Sequence, residues 1–270
     1  MLVAIASAAG VTPATAGPSI EWRVANPFRF FSDPADTEVH RATFASLSPE
    51  ERRSPVLAAE RQLGQRHPDG WAATMYRKTC WNWTRNRYEC PDGESYITPE
   101  SHAIIAEIKG IEETEVVCTW ETGAGKRRRG GRHGETTTQA CSEPVELDIP
   151  YPEGALVGGV EVARQRIVVK DLFVVGMGDS FGSGEGNPDI PVRFSPERTA
   201  DYSKPSKNGN GDLTGYPARI GAWKQIGDKT FIEENARWLD QACHRSLYSY
   251  QMRVALQLAL EDPHRAITYA

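Results

Sequence analysis

The sequence lacks an apolar run long enough to cross a membrane as a helix. Such a helix needs roughly 18 or more consecutive apolar residues, and the most apolar stretch, from Leu2 to Val11, is much shorter. We therefore predict no transmembrane segment.

The sequence also lacks a strong charge of one sign, because its net charge is only −5. This balance argues against a general nucleic-acid-binding protein. The local exception is a basic run between Cys118 and Cys141, formed by Lys126, Arg127, Arg128, Arg129 and Arg132. We predict a solvated hairpin tip there, with contact to a polyanion as the alternative, and no nucleic-acid partner.

Metal-ligand spacing is missing as well. The five cysteines form no C-x-x-C pair and the six histidines are scattered, so we predict no zinc site and no cofactor. Cys80 with Cys90, and Cys118 with Cys141, instead flank local loops that suit disulfides in an oxidising compartment. Cys243 is then left without a partner.

The first residues resemble an export signal. Residues 1–16 form a signal-peptide-like segment: the run from Leu2 to Val11 is apolar and small, and Ala14-Thr15-Ala16 before Gly17 fits a signal-peptidase site. The usual basic start is absent, so a buried or surface-lying apolar segment is the alternative. With the cysteine pairs, this pattern predicts a secreted or periplasmic protein.

The most informative segment is present later in the chain, where an apolar run meets a glycine-rich turn. Residues 172–175 are all apolar and lead into Gly176, Gly178, Asp179 and Ser180. Such a run predicts a strand covered on both faces in a parallel α/β sheet, with Ser180 at its C-terminal edge.

A nucleotide site is the first chemical alternative for this turn. Gly176, Gly178 and Gly182 approximate a dinucleotide fingerprint, which must open into a helix. Prolines follow at 188, 191 and 196, so we expect no helix to start there. A P-loop is disfavoured because no Lys-Ser or Lys-Thr pair closes the loop.

The run VVGMGDSFGSGEGNPD resembles the first block of the SGNH, or GDSL, hydrolase family at Gly178, Asp179 and Ser180. The resemblance implies a flavodoxin-like parallel sheet, Ser180 as the nucleophile and its N–H as one oxyanion donor. Residues 243–246 resemble a stretch found beyond this block in secreted members. An ordinary Gly-Asp-Ser turn is the alternative.

The family takes its base from a C-terminal Asp-x-x-His segment, and neither His244 nor His264 lies in that setting. We therefore expect the chain to be the first part of a longer hydrolase. Between the two histidines, Leu247, Tyr250, Val254 and Leu258 predict one apolar helix face with Ser246 as N-cap. Residues 266–269 predict a second strand of the α/β sheet.

Three further regions are predicted after residue 16. Residues 17–110 form a mixed α/β, aromatic-rich region with helices over 48–62 and 101–109. Residues 111–170 alternate with period two and predict a small β-sandwich-like module. Residues 171–270 begin the hydrolase domain. The aromatic side chains near the first cysteine pair are predicted to form core, with a sugar-binding platform as the alternative.

Two functions fit these observations. The first is an exported ester hydrolase in which Ser180 forms an acyl-enzyme with a carboxylic, lipid or O-acyl glycan ester. The alternative is a non-catalytic exported binding protein that uses the β module and the Trp-rich region, with Ser180 as a turn residue.

Overall fold

The protein combines helices and strands, most of the strands being antiparallel. A computed structural model describes residues 17–75, 77–91, 93, 95–111, 116–123, 136–159, 162–194, 206–207, 213–214 and 232–270. The predicted signal segment 1–16 and the basic run 126–132 lie outside these residues. Within the described ranges, no helix has both the length and the apolarity that crossing a membrane requires.

Five α-helices and a single 3-10 turn occur in the described residues. The helices are α1 (Pro34–Ala45), α2 (Pro55–Arg66), α3 (Trp71–Thr74), α4 (Ser180–Ser183) and α5 (Tyr250–Glu261), and the 3-10 turn is Glu51–Arg53. The predicted helix over 48–62 is therefore divided, since the 3-10 turn ends at Arg53 and α2 begins at Pro55. Proline is well tolerated at that first helical position.

Fifteen strands occur in the same ranges. They are β1 (Ser19–Val24), β2 (Trp81–Asn82), β3 (Arg87–Tyr88), β4 (Ser101–Lys109), β5 (Val117–Gly123), β6 (Thr136–Ala140), β7 (Val145–Pro150), β8 (Ala155–Gly159), β9 (Ala163–Ile167), β10 (Lys170–Val174), β11 (Arg193–Phe194), β12 (Ser206–Lys207), β13 (Leu213–Thr214), β14 (Ile232–Glu234) and β15 (Arg265–Tyr269).

Two antiparallel sheets enclose one apolar core. The first has the order β1-β4-β7 and the second the order β6-β5-β8-β9. Ile104 and Leu147 from the first sheet belong to the same buried cluster as Trp120 and Val157 from the second. One face of each sheet is thereby removed from water. In the first sheet, β1 and β4 belong to the predicted region 17–110, whereas β7 belongs to the predicted β module 111–170, so this sheet crosses the predicted boundary.

The helix predicted over residues 101–109 is wrong, because this segment is the central strand β4. Its side chains alternate between partly exposed and buried, with His102, Ile104, Ala106 and Ile108 facing inward. Strands β1 and β7 flank it on either edge. Because β1 and β7 pair with the two edges of β4, the backbone N–H and C=O groups of this segment find their hydrogen-bond partners in the sheet and not in a helix.

The predicted cysteine pairs are confirmed. Disulfides join Cys80 to Cys90 and Cys118 to Cys141, while Cys243 is exposed and unpaired. The first bridge closes the hairpin of β2 and β3, and the second joins Cys118 of β5 to Cys141 directly after β6 within the buried core.

Reduction of the second disulfide should lower stability measurably. The bridge closes a sequence separation of 23 residues, and a loop of this size is worth about 3 kcal/mol in the chain-entropy account. We expect the Cys118→Ala, Cys141→Ala double variant to unfold at a correspondingly lower urea concentration. Cys243→Ala is the control and should leave the midpoint unchanged. Equal midpoints for all three proteins would contradict the prediction.

A second core joins the N-terminal aromatic residues to the C-terminal end of the chain. Phe28, Phe30 and Trp71 pack in one buried cluster with Met252 of α5 and Tyr269 of β15. Trp81 belongs to this cluster too, so two of the tryptophans near the first disulfide are core residues, as predicted. Trp83 is exposed.

Strands β10 and β15 form a parallel pair, in register from Lys170 with Arg265 to Val174 with Tyr269. The second predicted strand is therefore present. On the far edge of β15, Phe28 makes a parallel bridge to Ile267. The expectation that residues 172–175 are covered on both faces is wrong: Leu172 is 43% exposed and Phe173 is 56% exposed. Within the described residues β10 has β15 as its one neighbouring strand.

The C-terminal helix is present, but its start and its buried face differ from the prediction. Ser249, not Ser246, is the N-cap, and its hydroxyl accepts a hydrogen bond from Met252 N. Met252, Ala255, Leu256 and Ala259 are buried, whereas Tyr250 and Val254 are exposed. The smaller alanines allow α5 to pack closely against β15.

Candidate functional site

The serine turn begins where the parallel pair ends. Gly176 N donates to Ala270 O at 2.7 Å and Ala270 N donates to Val174 O at 2.9 Å, which continues the ladder past β10. Asp179 then caps α4, accepting from Phe181 N and Gly182 N at 3.1 Å each. Ser180 is the first residue of this helix.

The expectation that no helix follows the strand is therefore wrong, although α4 is only a single turn. Gly184 ends it in the left-handed region, with φ of 95°. The first proline, Pro188, lies beyond this end and so does not oppose the turn. The local Asp179 cap determines where the helix begins.

Two glycines let the turn pack directly on α5 and β15. A Cβ atom at Gly176 would overlap the hydroxyl of Tyr269, and one at Gly182 would lie 2.9 Å from Gln251 Nε2. Gln251 Nε2 also donates to Met177 O at 3.2 Å. The glycine spacing thus has a packing reason in this structure, independent of any nucleotide site.

Substitution of Gly176 by alanine should disturb the turn. The added methyl group must displace the buried Tyr269 ring or the turn itself, and overpacking of this kind costs about 1 to 3 kcal/mol. We expect a lower thermal midpoint for Gly176→Ala. Gly186→Ala is the matched control, because no atom lies within 4 Å of a Cβ built there. A midpoint for Gly176→Ala equal to that of the control would contradict this account.

Ser180 opens into a cavity of about 440 Å³. The cavity lies between the serine turn, the segment from residue 242 to 245, and the packed faces of α5 and β15. Its lining residues are Gly176, Gly178, Asp179, Ser180, Gly182, Ser183, Glu185, Ala242, Cys243, His244, Arg245, Ser249, Gln251 and Tyr269. All three residues of the Gly-Asp-Ser motif therefore line one cavity.

The segment around His244 is attached to the serine helix. Ser183 Oγ lies 2.8 Å from Ser180 O and 3.0 Å from Cys243 O, and these two carbonyl oxygens share its one hydrogen. Ser246 N donates to Ser183 O at 2.9 Å. These bonds hold the two segments at a fixed distance although they are far apart in sequence.

His244 has a constrained position beside the cavity. Its backbone φ is 48°, in the left-handed region that few non-glycine residues adopt. Its ring stacks on Trp238 at 4.2 Å, and its Nδ1 lies 3.5 Å from Glu185 Oε1. His264 is not part of this cavity, because its ring packs against Trp22 at 4.2 Å.

Sequence reasoning missed Asp189, which orders the segment after His244. Asp189 is 1% exposed. It accepts from Leu239 N at 2.6 Å, from Leu247 N at 2.8 Å and from Ser246 Oγ at 3.0 Å. Burial raises the pKa of its carboxyl to about 7, while these three donors oppose the increase. One aspartate in a Pro- and Asn-rich stretch gives no periodic signal that would identify it.

Arg245 was also missed, and it lines the same cavity as Ser180. Its guanidinium lies 4.7 Å from the ring centre of Trp81 and 5.7 Å from that of Tyr88. It donates a hydrogen bond to Tyr88 Oη at 2.7 Å. The hairpin closed by the first disulfide therefore contributes to the site through Arg245.

No group of three or more His, Cys, Asp and Glu side chains in the described part of the chain is arranged to hold a metal ion. Comparison with protein families, with curated proteins and with solved structures finds no match to this chain.

Proposed function

We propose that this protein is an exported serine ester hydrolase of the SGNH type, with Ser180 as its nucleophile. The observation that carries the proposal is the position of Ser180 at the C-terminal end of a parallel strand, on a glycine turn that opens into a cavity containing His244. The proposed domain is a flavodoxin-like sheet of which β10 and β15 are two strands.

In the proposed reaction, Ser180 Oγ attacks the ester carbonyl carbon while its proton moves to a base. The tetrahedral intermediate expels the alcohol, which takes up that proton, and leaves an acyl-enzyme. Water then attacks the acyl-enzyme, so that the carboxylic acid is released and Ser180 regains its proton.

The Ser180 N–H is the proposed oxyanion donor. Asp179 Oδ1 is occupied by the N–H groups of Phe181 and Gly182. Among the described residues no acceptor pairs with the Ser180 N–H, which leaves it free to stabilise negative charge on the carbonyl oxygen.

His244 is the candidate for the base within the cavity. Residues 1–270 contain no Asp-x-x-His segment of the kind that the family resemblance implies. The contact of Nδ1 with Glu185 and the stacking on Trp238 hold the imidazole ring in one orientation. A carboxylate beside Nδ1 favours the tautomer with its hydrogen on that nitrogen, which leaves Nε2 as the nitrogen that accepts the Ser180 proton.

The proposed substrates are carboxylic, lipid or O-acyl glycan esters, and the proposed location is secreted or periplasmic. The two disulfides support export, since such bonds persist in oxidising compartments.

A fluorophosphonate probe tests the nucleophile directly. We expect mass spectrometry to find the adduct on Ser180, and Ser180→Ala to lose both the adduct and at least about 1,000-fold of ester turnover. Ser142→Ala is the control, because Ser142 is exposed and does not line the cavity, and it should retain the Ser180 adduct.

A variant of the candidate base separates two versions of the mechanism. If His244 accepts the proton, His244→Gln should lower turnover by about 100-fold or more. Turnover that depends on Ser180 but not on His244 would place the base elsewhere. An absence of any adduct, with intact fold, would contradict the hydrolase and favour the non-catalytic binding protein.

A further inference from the structure

Arg245 is held in place mainly by aromatic rings. Trp81 and Tyr88 present their faces to its guanidinium, and Tyr88 Oη accepts one of its hydrogen bonds. Trp81 is itself buried in the aromatic core. This packing fixes the guanidinium before any ligand arrives, so little side-chain freedom remains to be lost on binding.

No carboxylate neutralises this guanidinium in the described part of the chain, where none of the ion pairs within 4.0 Å involves Arg245. Asp240 is close in the same turn, but its Oδ1 accepts from Ala242 N and Cys243 N. A guanidinium carries five N–H donors. Tyr88 Oη accepts a hydrogen bond from one of them, and the other N–H groups can donate hydrogen bonds to an anion.

The other charged groups of the cavity have partners. Asp179 caps α4, and Glu185 lies beside His244. Arg245 also interacts electrostatically with Tyr269, another residue of the cavity lining. Burial raises the pKa of the Tyr269 hydroxyl, whereas a hydrogen bond with Ser249 and the positive charge of Arg245 lower it. Tyr269 lies directly under Gly176, at the start of the serine turn.

We propose that Arg245 recognises an anionic oxygen group of the substrate, a carboxylate or a phosphate, close to the ester bond that Ser180 attacks. This inference rests on the proposed function and narrows its substrate class to esters that carry a negative charge. Arginine suits this role because its planar donors match both groups in a two-point contact.

Paired substrates test the inference in the intact protein. The p-nitrophenyl ester of succinic acid carries a free carboxylate, and p-nitrophenyl butyrate is its neutral counterpart of similar length. We expect a higher kcat/KM for the anionic ester. Arg245→Gln should reduce that preference by about tenfold to 100-fold, mainly through KM, so that kcat/KM falls more for the anionic ester than for the neutral one.

Two further variants control for structure. Arg245→Lys keeps the charge without the planar donors, and we expect it to restore part of the preference. Arg66→Gln removes a cation from the exposed end of α2, away from the cavity, and should change nothing. If Arg245→Gln does not fold, the comparison of Arg245→Lys with wild type still decides the outcome, since a purely structural role predicts no loss of charge preference.

A binding measurement separates this inference from the proposed function. In Ser180→Ala, titration with monomethyl succinate or inorganic phosphate should change tryptophan fluorescence, because Trp81 lies against Arg245. Dimethyl succinate should not, and the two anions show which group is preferred. Equal kcat/KM for both esters, together with no anion binding, would overturn the inference while Ser180 labelling stands. Anion binding without Ser180 labelling would uphold the anion site and reject the hydrolase.

Discussion

Replacing Asp171 with alanine is expected to lower the free energy of unfolding by about 3 to 5 kcal/mol, the usual cost of removing one partner from a buried charge pair. Asp171 lies on β10, and its side chain is 5% exposed. Arg29 Nη1 is 3.7 Å from its Oδ2, and Thr268 Oγ1 donates to both carboxylate oxygens at 3.0 and 3.1 Å. Alanine would leave the Arg29 guanidinium buried without its counter-ion.

His102 adds to this cluster from the first antiparallel sheet. Its Nε2 lies 3.2 Å from Asp171 Oδ2 without forming a hydrogen bond. The cluster therefore connects β4, β10 and β15, and its loss should loosen the attachment of the serine strand to the N-terminal sheet.

Urea unfolding with matched variants measures this effect. Glu38→Ala is the control, since its pair with Arg41 is exposed and should be worth less than about 1 kcal/mol. Arg29→Met combined with Asp171→Leu should recover part of the loss, because neither charge is then left unpaired. A cost for Asp171→Ala no larger than that of Glu38→Ala would show that the cluster does not stabilise the fold.

Acidification should destabilise the protein through His40 by about 3 kcal/mol between pH 6.5 and pH 4. The His40 ring packs edge-on to Trp71 at 4.5 Å and near Phe31 at 5.4 Å. Burial among these rings lowers the pKa of the imidazole from 6.5 to about 4. Between pH 6.5 and pH 4, His40 binds a proton in the unfolded chain but stays neutral in the folded chain, so the free energy of unfolding falls as the pH falls.

Asp189 contributes to pH dependence in the opposite direction. Burial raises the pKa of its carboxyl from 3.8 to about 7. In this interval the folded chain holds the proton that the unfolded chain has released, so the stability from Asp189 is present below pH 3.8 and is lost as the pH rises through 7. The pH dependence of wild-type stability is thus the sum of two opposing contributions, and a variant is needed to measure the contribution of His40 alone.

His40→Leu provides that isolation. The variant keeps an apolar side chain among the aromatic rings and cannot take up a proton. We expect the stability difference between wild type and His40→Leu to narrow, or to reverse in favour of the variant, as the pH falls from 6.5 to 4. His264→Gln, at a partly exposed position, is the control. A difference that stays constant over this range would reject the role assigned to His40.

Features determined by short-range chemistry were predictable from the sequence. The two disulfides join nearby cysteines, and the segments 172–175 and 266–269, which were predicted as strands, overlap the observed β10 and β15. The serine turn followed from glycine, aspartate and serine in adjacent positions. In each case the local residues have few alternative structures.

Ambiguous local patterns gave the wrong predictions. Residues 101–109 contain apolar and polar side chains that suit either a strand or a helix, and pairing with β1 and β7 decided between them. The buried face of α5 was likewise chosen by the surface against which it packs. Exposure of Leu172 and Phe173 depends on which elements neighbour β10, and this is not encoded in the apolar run itself.

By itself, the sequence determined the two cysteine pairs, the strand that leads to Ser180 and the glycine turn that presents it, because each depends on neighbours along the chain. Only the tertiary structure decided which groups surround the serine. Arg245 meets Tyr88 across 157 positions, and Asp189 meets Leu247 across 58. Contacts over such distances depend on how the two cores pack, and no local pattern specifies them.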